Sequence, residues 1–183
     1  MNRIAPQAVL EIRSVPSLAG KVRIPAAVGL THLQFRRFAG CPVCNLHLRS
    51  FAEAKHALDA AGVREIIVFH SSEDAVRKYE KDIPFDVIPD PQKRLYAAFN
   101  VEADARALLD PRSWRSILLG VFKSATEIVR NGAPLPPIGP EGGSFGLPAD
   151  FLLDPDGVVL ACKYGQHVYD QWTVDEVLTL AST

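Results

Sequence analysis

Cys41 and Cys44 are separated by Pro42 and Val43, the one place in the chain where two cysteines stand close together. The thiolate, not the thiol, attacks a disulfide or a peroxide, so a reactive cysteine needs surroundings that favour the anion. A helix N-terminus supplies them through the positive end of the helix dipole and through backbone N–H groups without intrahelical partners. With Cys41 at such a terminus, Cys44 falls one turn further in, within disulfide reach. The spacing therefore casts Cys41 as nucleophile and Cys44 as the resolving thiol, with Cys41 the most exposed and most acidic thiol of the chain. Zinc is the chemical rival, but it takes four ligands, usually from two such pairs. Only Cys162 and five histidines remain to complete that set, His47 being three residues past Cys44. Haem attachment needs His directly after the second cysteine, and Asn45 stands there.

The elements around the motif follow from pattern. Thr31-His32-Leu33-Gln34-Phe35-Arg36-Arg37-Phe38 alternates imperfectly and predicts a strand, with His32, Gln34 and Arg36 on one face. Gly40 breaks it. Pro42 suits the first turn of a helix, where its missing N–H costs nothing. That helix is expected to run to about Ala61 and to end at Gly62. A nearly continuous apolar run at 65–70 predicts a strand buried on both faces. Ser71 or Ser72 then caps a helix to about Lys81, with Glu73 and Asp74 in its first turn. A short strand at 85–88 and a short helix at 93–99 follow. Asp154-Pro155-Asp156-Gly157 turns a hairpin between residues 151–153 and 158–161. Thr173 and Glu176 form a capping box for the last helix. The N-terminal region carries β-like pieces at 9–12 and 22–24.

This order, β-α-β-α-β-α and then a hairpin and a helix, predicts an α/β fold with right-handed parallel crossovers, hence a mixed central sheet with flanking helices. A single domain is expected over 1–183, with an N-terminal extension over 1–30 and an insertion over 102–147. Asp110-Pro111 opens a helix in that insertion, and Trp114, Leu118 and Val121 make one apolar stripe on it. That stripe either packs on the domain core or, with the core sheet already covered by other helices, meets a second copy, which would give a homodimer. A Gly/Pro-rich loop completes the insertion. Arg36 and Arg37 stand close enough to Cys41 in sequence to lower its pKa, or else occupy an edge. Cys162 reads as a small buried hydrophobe on a strand. His47, His56 and His167 read as solvated or packed side chains.

Composition bounds the rest. The chain has 183 residues, 48% hydrophobic and 22% charged, with a net charge of −1, which fits a globular core and offers no basic footprint for nucleic acid. No apolar run approaches the ~20 residues of a membrane span. Arg3, Glu11 and Arg13 interrupt any signal-peptide core, so the expected compartment is the cytoplasm. Three cysteines do not make a secreted disulfide framework. No glycine-rich phosphate loop follows a strand, so no organic cofactor is implied.

Residues 31–99 with 145–181 resemble the peroxiredoxin-like AhpC/TSA family of the thioredoxin-fold superfamily. The residues that carry the likeness are Phe35-Arg36-Arg37-Phe38-Ala39-Gly40-Cys41-Pro42-Val43-Cys44, Leu147-Pro148-Ala149-Asp150-Phe151-Leu152-Leu153-Asp154 and Tyr164-Gly165-Gln166-His167. The resemblance implies a thioredoxin-like fold and a redox-active disulfide. It also implies a cis-proline facing the CxxC, for which Pro148 has the matching place. Pro42, Val43, Leu147, Pro148 and Arg37 then become the residues expected to meet substrate. The chain departs from typical peroxiredoxins in having Phe38 where a Thr or Ser stands three residues before the reactive cysteine, and Gln34 where a Pro stands seven before. It also lacks an arginine at the start of the strand after Pro148. The expected activity is thus that of a thiol–disulfide oxidoreductase or an atypical thiol peroxidase. It would take a peroxide or disulfide substrate and an external thiol or dithiol reductant. A non-enzymatic redox-sensing or partner-binding module is the alternative, and a zinc-binding domain a weaker one.

Overall fold

The central strand is polar on one face and apolar on the other, yet both faces are buried, and the architecture follows from that. The structure, a computed structural model, describes residues 3–80, 82–101, 134, 135, 137, 139, 143 and 146–183. The strands are β1 (Arg13–Ser17), β2 (Gly20–Ile24), β3 (Leu30–Arg36), β4 (Val63–Phe69), β5 (Asp86–Pro89), β6 (Ala149–Leu153) and β7 (Val159–Tyr164). The helices are α1 (Pro42–Glu53), α2 (Lys55–Ala60), α3 (Glu73–Tyr79), α4 (Arg94–Ala98) and α5 (Val174–Ala181). β1 and β2 form a separate hairpin, and the main sheet has the order β5-β4-β3-β6-β7. β3, β4 and β5 are parallel, and β6 and β7 join antiparallel, so the sheet is mixed as expected.

Leu33 and Phe35 of β3 pack with Ile66, Val68 and Phe151 against Tyr96 of α4 and Ile24 of β2. The other face of the sheet carries α1, α2, α3 and α5. Ile67 and Phe69 meet Leu48 and Val76 there, and Leu152 meets Phe51, Leu58 and Val177. Alternation at period two delivers these faces. On that second face His32, Gln34 and Arg36 also point inward, all at 0% exposure. Their partners come from the neighbouring strands. His32 Nδ1 lies 2.8 Å from Glu65 Oε2, Gln34 donates to the same carboxylate, and Arg36 Nη2 donates to Asp150 Oδ1 at 2.9 Å. Two cations and two carboxylates thus close a buried network with no excess charge, the condition under which burial of ions is tolerated.

Several boundaries differ from the sequence expectation. The helix after Pro42 is interrupted at Ala54 and does not run unbroken to Ala61. One turn before the interruption the Ser50 hydroxyl donates to the His47 carbonyl at 2.7 Å, a back-bond that bends helices. β3 ends at Arg36, so Arg37 and Phe38 belong to the loop, not to the strand. The piece at 9–12 is no strand. Val9 makes an isolated bridge to Val158, and Leu10 N donates to Gly157 O at 2.8 Å, so this segment lies along the hairpin turn. The two caps read from sequence are present: Ala75 N donates to Ser72 Oγ, and Thr173 and Glu176 complete their capping box. The helix expected after Pro111, its apolar stripe and the dimer contact assigned to it lie outside the described residues.

Candidate active site

The loop from Arg37 to Gly40 carries the chain from the end of β3 into α1, and four contacts fix it. Ala39 N donates to Ser71 Oγ at 2.9 Å, His70 N donates to Arg37 O at 3.4 Å, Gly40 N donates to Glu80 Oε1 at 2.7 Å, and Cys41 N donates to Phe38 O at 3.3 Å. Gly40 has φ +79°, and a Cβ there would stand 2.8 Å from the Tyr79 ring, so both backbone and space demand glycine. Cys41 is the N-cap of α1 and Pro42 its first helical residue, as the spacing requires.

The two sulfurs are polarised in opposite senses. A hydrogen bond from the Cys44 thiol is the main influence lowering the Cys41 pKa to about 7. The Arg37 charge and the Val43 and Cys44 N–H groups act with it, and burial opposes them. The same hydrogen bond, burial and the charge on Cys41 push Cys44 well above its ordinary value. Both are free thiols, so this is the reduced pair. The expectation that Cys41 is the most exposed thiol is overturned. Cys41 is 1% and Cys44 2% exposed, whereas Cys162 is half-buried. Phe38, Val43 and Tyr169 close over the pair, a cover that spacing along the chain cannot reveal. Cys162, with its pKa raised by burial, donates to Ile4 O at 3.3 Å.

Arg37 is buried, its guanidinium 5.3 Å from the Phe38 ring centroid, so of the two arginines it is the one that acts on Cys41. Arg36 is spent on Asp150. Leu147 and Pro148 are buried. Gly146, just before them, packs so closely that a Cβ would lie 3.0 Å from His70 Nε2 and 3.5 Å from Arg37 Cγ. The segment entering β6 therefore crosses the same end of β3 that leads to Cys41. The expected cis bond at Pro148 is absent. Among the described residues the cis peptide is Ile24–Pro25, and Leu147–Pro148 is trans. Pro148 O accepts from Gly165 N at 2.9 Å and the chain runs straight into β6 between β3 and β7, which asks for no reversal at that bond.

Among the described residues no three His, Cys, Asp or Glu side chains gather as a metal site. His47, held neutral by burial with its pKa down to about 3, donates Nε2–H to the Trp172 carbonyl at 2.8 Å. Glu80 is the site residue that sequence reasoning missed. It is 4% exposed, burial raises its pKa to about 8, and it sits thirty-six positions from Cys44 with no periodicity linking the two.

Fold and site together define a thioredoxin-fold protein with a paired-thiol centre. A family model described as AhpC/TSA antioxidant enzyme matches residues 50–167, and the chain belongs to that family as a thiol-dependent oxidoreductase. The match begins after Cys44. Reduced 2-Cys peroxiredoxin of Plasmodium vivax is 14% identical, with TM-score 0.68 over 98% of this chain and 81% of that one. Peroxidoxin BcpB of Mycobacterium tuberculosis is 14% identical, with TM-score 0.69 over 98% and 97%. A putative thiol:disulfide interchange protein DsbE of Chlorobium tepidum is 16% identical, with TM-score 0.60 over 98% and 99%. At such identities the likeness is one of fold. No curated protein matches the chain. No helix among the described residues is long and apolar enough to cross a membrane.

Proposed function

We propose that the protein runs a Cys41–Cys44 dithiol/disulfide cycle in which a hydroperoxide is the oxidant. The observation that carries this reading is the placement of two buried free thiols at the start of α1, Cys41 as its N-cap and Cys44 one turn in, with the Arg37 charge acting on Cys41. The Cys41 thiolate attacks the terminal peroxide oxygen; the O–O bond breaks, Cys41 becomes the sulfenic acid, and the alkoxide leaves and takes a proton. Cys44 then attacks the Cys41 sulfur, the S–O bond breaks, and water and the disulfide form. An external thiol or dithiol reduces the disulfide through a mixed disulfide on Cys41.

Burial favours the peroxide over a protein disulfide. A peroxide needs only one oxygen at the sulfur, and Cys41 is 1% exposed. Arg37 takes the part of the cation that steadies the developing charge, in place of the missing Thr and strand arginine. Pro42 and Val43 on one side, and Leu147 and Pro148 on the other, form the walls that the substrate meets. Steady-state turnover with hydrogen peroxide, and separately with an oxidised dithiol, tests this. Cys41→Ser should lose at least about 100-fold, the scale of removing a nucleophile. Cys44→Ser should stall with Cys41 as a trappable sulfenic acid. Undiminished turnover in Cys41→Ser overturns the assignment.

A further inference from the structure

The oxidant and the reductant of this pair differ in what they must bring to Cys41. A hydroperoxide brings one oxygen. A protein dithiol brings a chain, because a disulfide between two residues sets their Cα atoms roughly 5.5–6 Å apart. A mixed disulfide on Cys41 therefore needs open space beside the sulfur for the visiting backbone. In this structure that space is filled, since Cys41 lies buried under Phe38, Val43 and Tyr169.

The three covering side chains are not equally fixed. Val43 belongs to the first turn of α1. Phe38 belongs to the loop pinned by the Ser71, His70 and Glu80 bonds, and its carbonyl accepts from Cys41 N. Neither can withdraw without dismantling the site. Tyr169 comes from elsewhere, the tip of the turn that joins β7 to α5. It is half-buried, with its ring edge-on to His47 and the centroids 6.0 Å apart. The N–H groups at this tip bond within the turn. Tyr169 N donates to His167 Nδ1 at 3.3 Å, Asp170 N to His167 O at 3.1 Å and Gln171 N to Tyr169 O at 3.1 Å.

The turn is fastened to the body at its two ends. At the first, Gly165 N donates to Pro148 O at 2.9 Å. At the second, Trp172 N donates to Asp150 Oδ2 at 3.2 Å and Trp172 O accepts from His47 Nε2 at 2.8 Å. That end is thereby tied to the buried charge network and to α1. Between the ends, Lys163 Nζ lies 2.9 Å from Asp170 Oδ1 and donates to Gln171 O at 3.4 Å. Ion pairs open to solvent hold weakly. Burial of Val168, and of part of Tyr169, holds the tip down as well. Firm ends around a lightly held tip make a unit that can swing while α1 and its loop keep their fold.

On the dithiol cycle proposed above, we infer that the turn between β7 and α5 is a gate and that Tyr169 sets the size of thiol that can reduce the pair. Closed, the gate admits a hydroperoxide or a small thiol. A protein dithiol reacts only when the tip has swung out. The chemistry is the same for both reductants. A thiolate attacks the Cys41 sulfur, the S–S bond breaks, and Cys44 leaves with the electron pair and takes a proton. The second thiol of the reductant then displaces Cys41. The reductant becomes a disulfide, and the pair gains two electrons and two protons. What differs is the fraction of molecules open to each. A minor conformation is populated at roughly 0.1–10%, and a reductant that needs it is slowed by that fraction.

The test starts from protein oxidised to the Cys41–Cys44 disulfide with hydrogen peroxide, in a Cys162→Ser background. Its reduction is followed by quench and alkylation, with dithiothreitol and separately with reduced thioredoxin as the protein dithiol. The quantity read is the ratio of the thioredoxin rate to the dithiothreitol rate. Tyr169→Ala should raise this ratio at least about tenfold, the gain from removing a gate that is open about a tenth of the time. Tyr169→Phe, which keeps the ring, should keep the wild-type ratio. Lys163→Met, which unties the tip and leaves the ring in place, should raise the ratio by less than Tyr169→Ala does. An unchanged ratio in Tyr169→Ala, or equal acceleration of both reductants, overturns the gate and leaves the cycle standing. A wild-type ratio in Lys163→Met overturns the swing of the turn. Wild-type protein that forms no Cys41–Cys44 disulfide overturns the cycle and this inference with it.

Discussion

At the scale of the residue, the chemistry turns on an imposed difference between two like groups. Both thiols are buried, and burial alone raises a thiol pKa. Cys41 escapes because a thiol, a guanidinium and two N–H groups converge on it, and Cys44 does not because it is the donor. Arg37 supplies the one full charge in that set. Replacing it with Leu should move the Cys41 titration up from about 7 by about one unit, the low end of what a neighbouring opposite charge does. The sign follows from removing a cation that favours the anion. Thiolate absorbance at 240 nm against pH, with Cys162→Ser as background, measures it. An unchanged midpoint would mean that the hydrogen bonds suffice.

At the scale of the element, α1 is positioned by the turn before it more than by its own sequence. It has no side-chain cap and no acidic residue in its first turn. Its start is held by the Gly40 bond to Glu80 and the Ala39 bond to Ser71. Gly40→Ala should therefore cost about 2 kcal/mol, since it places a Cβ against the Tyr79 ring at a positive φ. It should also loosen the Cys41 N-cap, so that iodoacetamide alkylates Cys41 faster than burial now permits. Urea unfolding and the alkylation rate report the two effects. A variant as stable as the parent would show that Tyr79 yields at no cost.

At the scale of the whole molecule, the buried network joins three strands through charge. Burial pulls the His32 pKa down, but Glu65 and Asp150 outweigh it and raise it to about 9. A histidine raised in the folded state stabilises fully below its unfolded pKa of ~6.5 and loses that contribution as pH rises through about 9. Glu80, an acid whose pKa is raised to about 8, also costs stability as it ionises. Cys41, lowered to about 7, works in the opposite direction between 7 and 9. The His32 contribution is therefore read as a difference. Stability from urea unfolding should fall more steeply between pH 6.5 and 9 in the wild type than in His32→Gln. Parallel curves would mean that His32 is neutral in the fold. His47 and Arg36 also face this cluster, and His47, neutral throughout that range, leaves the slope to His32.

The local signals were sufficient wherever a single stretch of chain carries its own reason. Pro42 at the first turn, Ser72 and Thr173 as caps, the turn at Asp154 to Gly157, and the apolar run that became β4 are all short-range facts of covalent geometry and hydrogen bonding. They placed Cys41 at a helix start and set the alternating order that makes the sheet mixed. What needed the tertiary structure was every property that depends on groups distant in sequence meeting in space. The counter-charges of His32 and Arg36 come from Glu65 and Asp150 on neighbouring strands. The cover over Cys41 includes Tyr169, and the carboxyl that holds the Gly40 N–H comes from the end of α3. Burial and electric field depend on all neighbours at once, whereas spacing along the chain reports only on those a few residues away. The two thiols could therefore be named from sequence, but their burial and unequal acidity were decided by how α1, the loop before it and the sheet pack together.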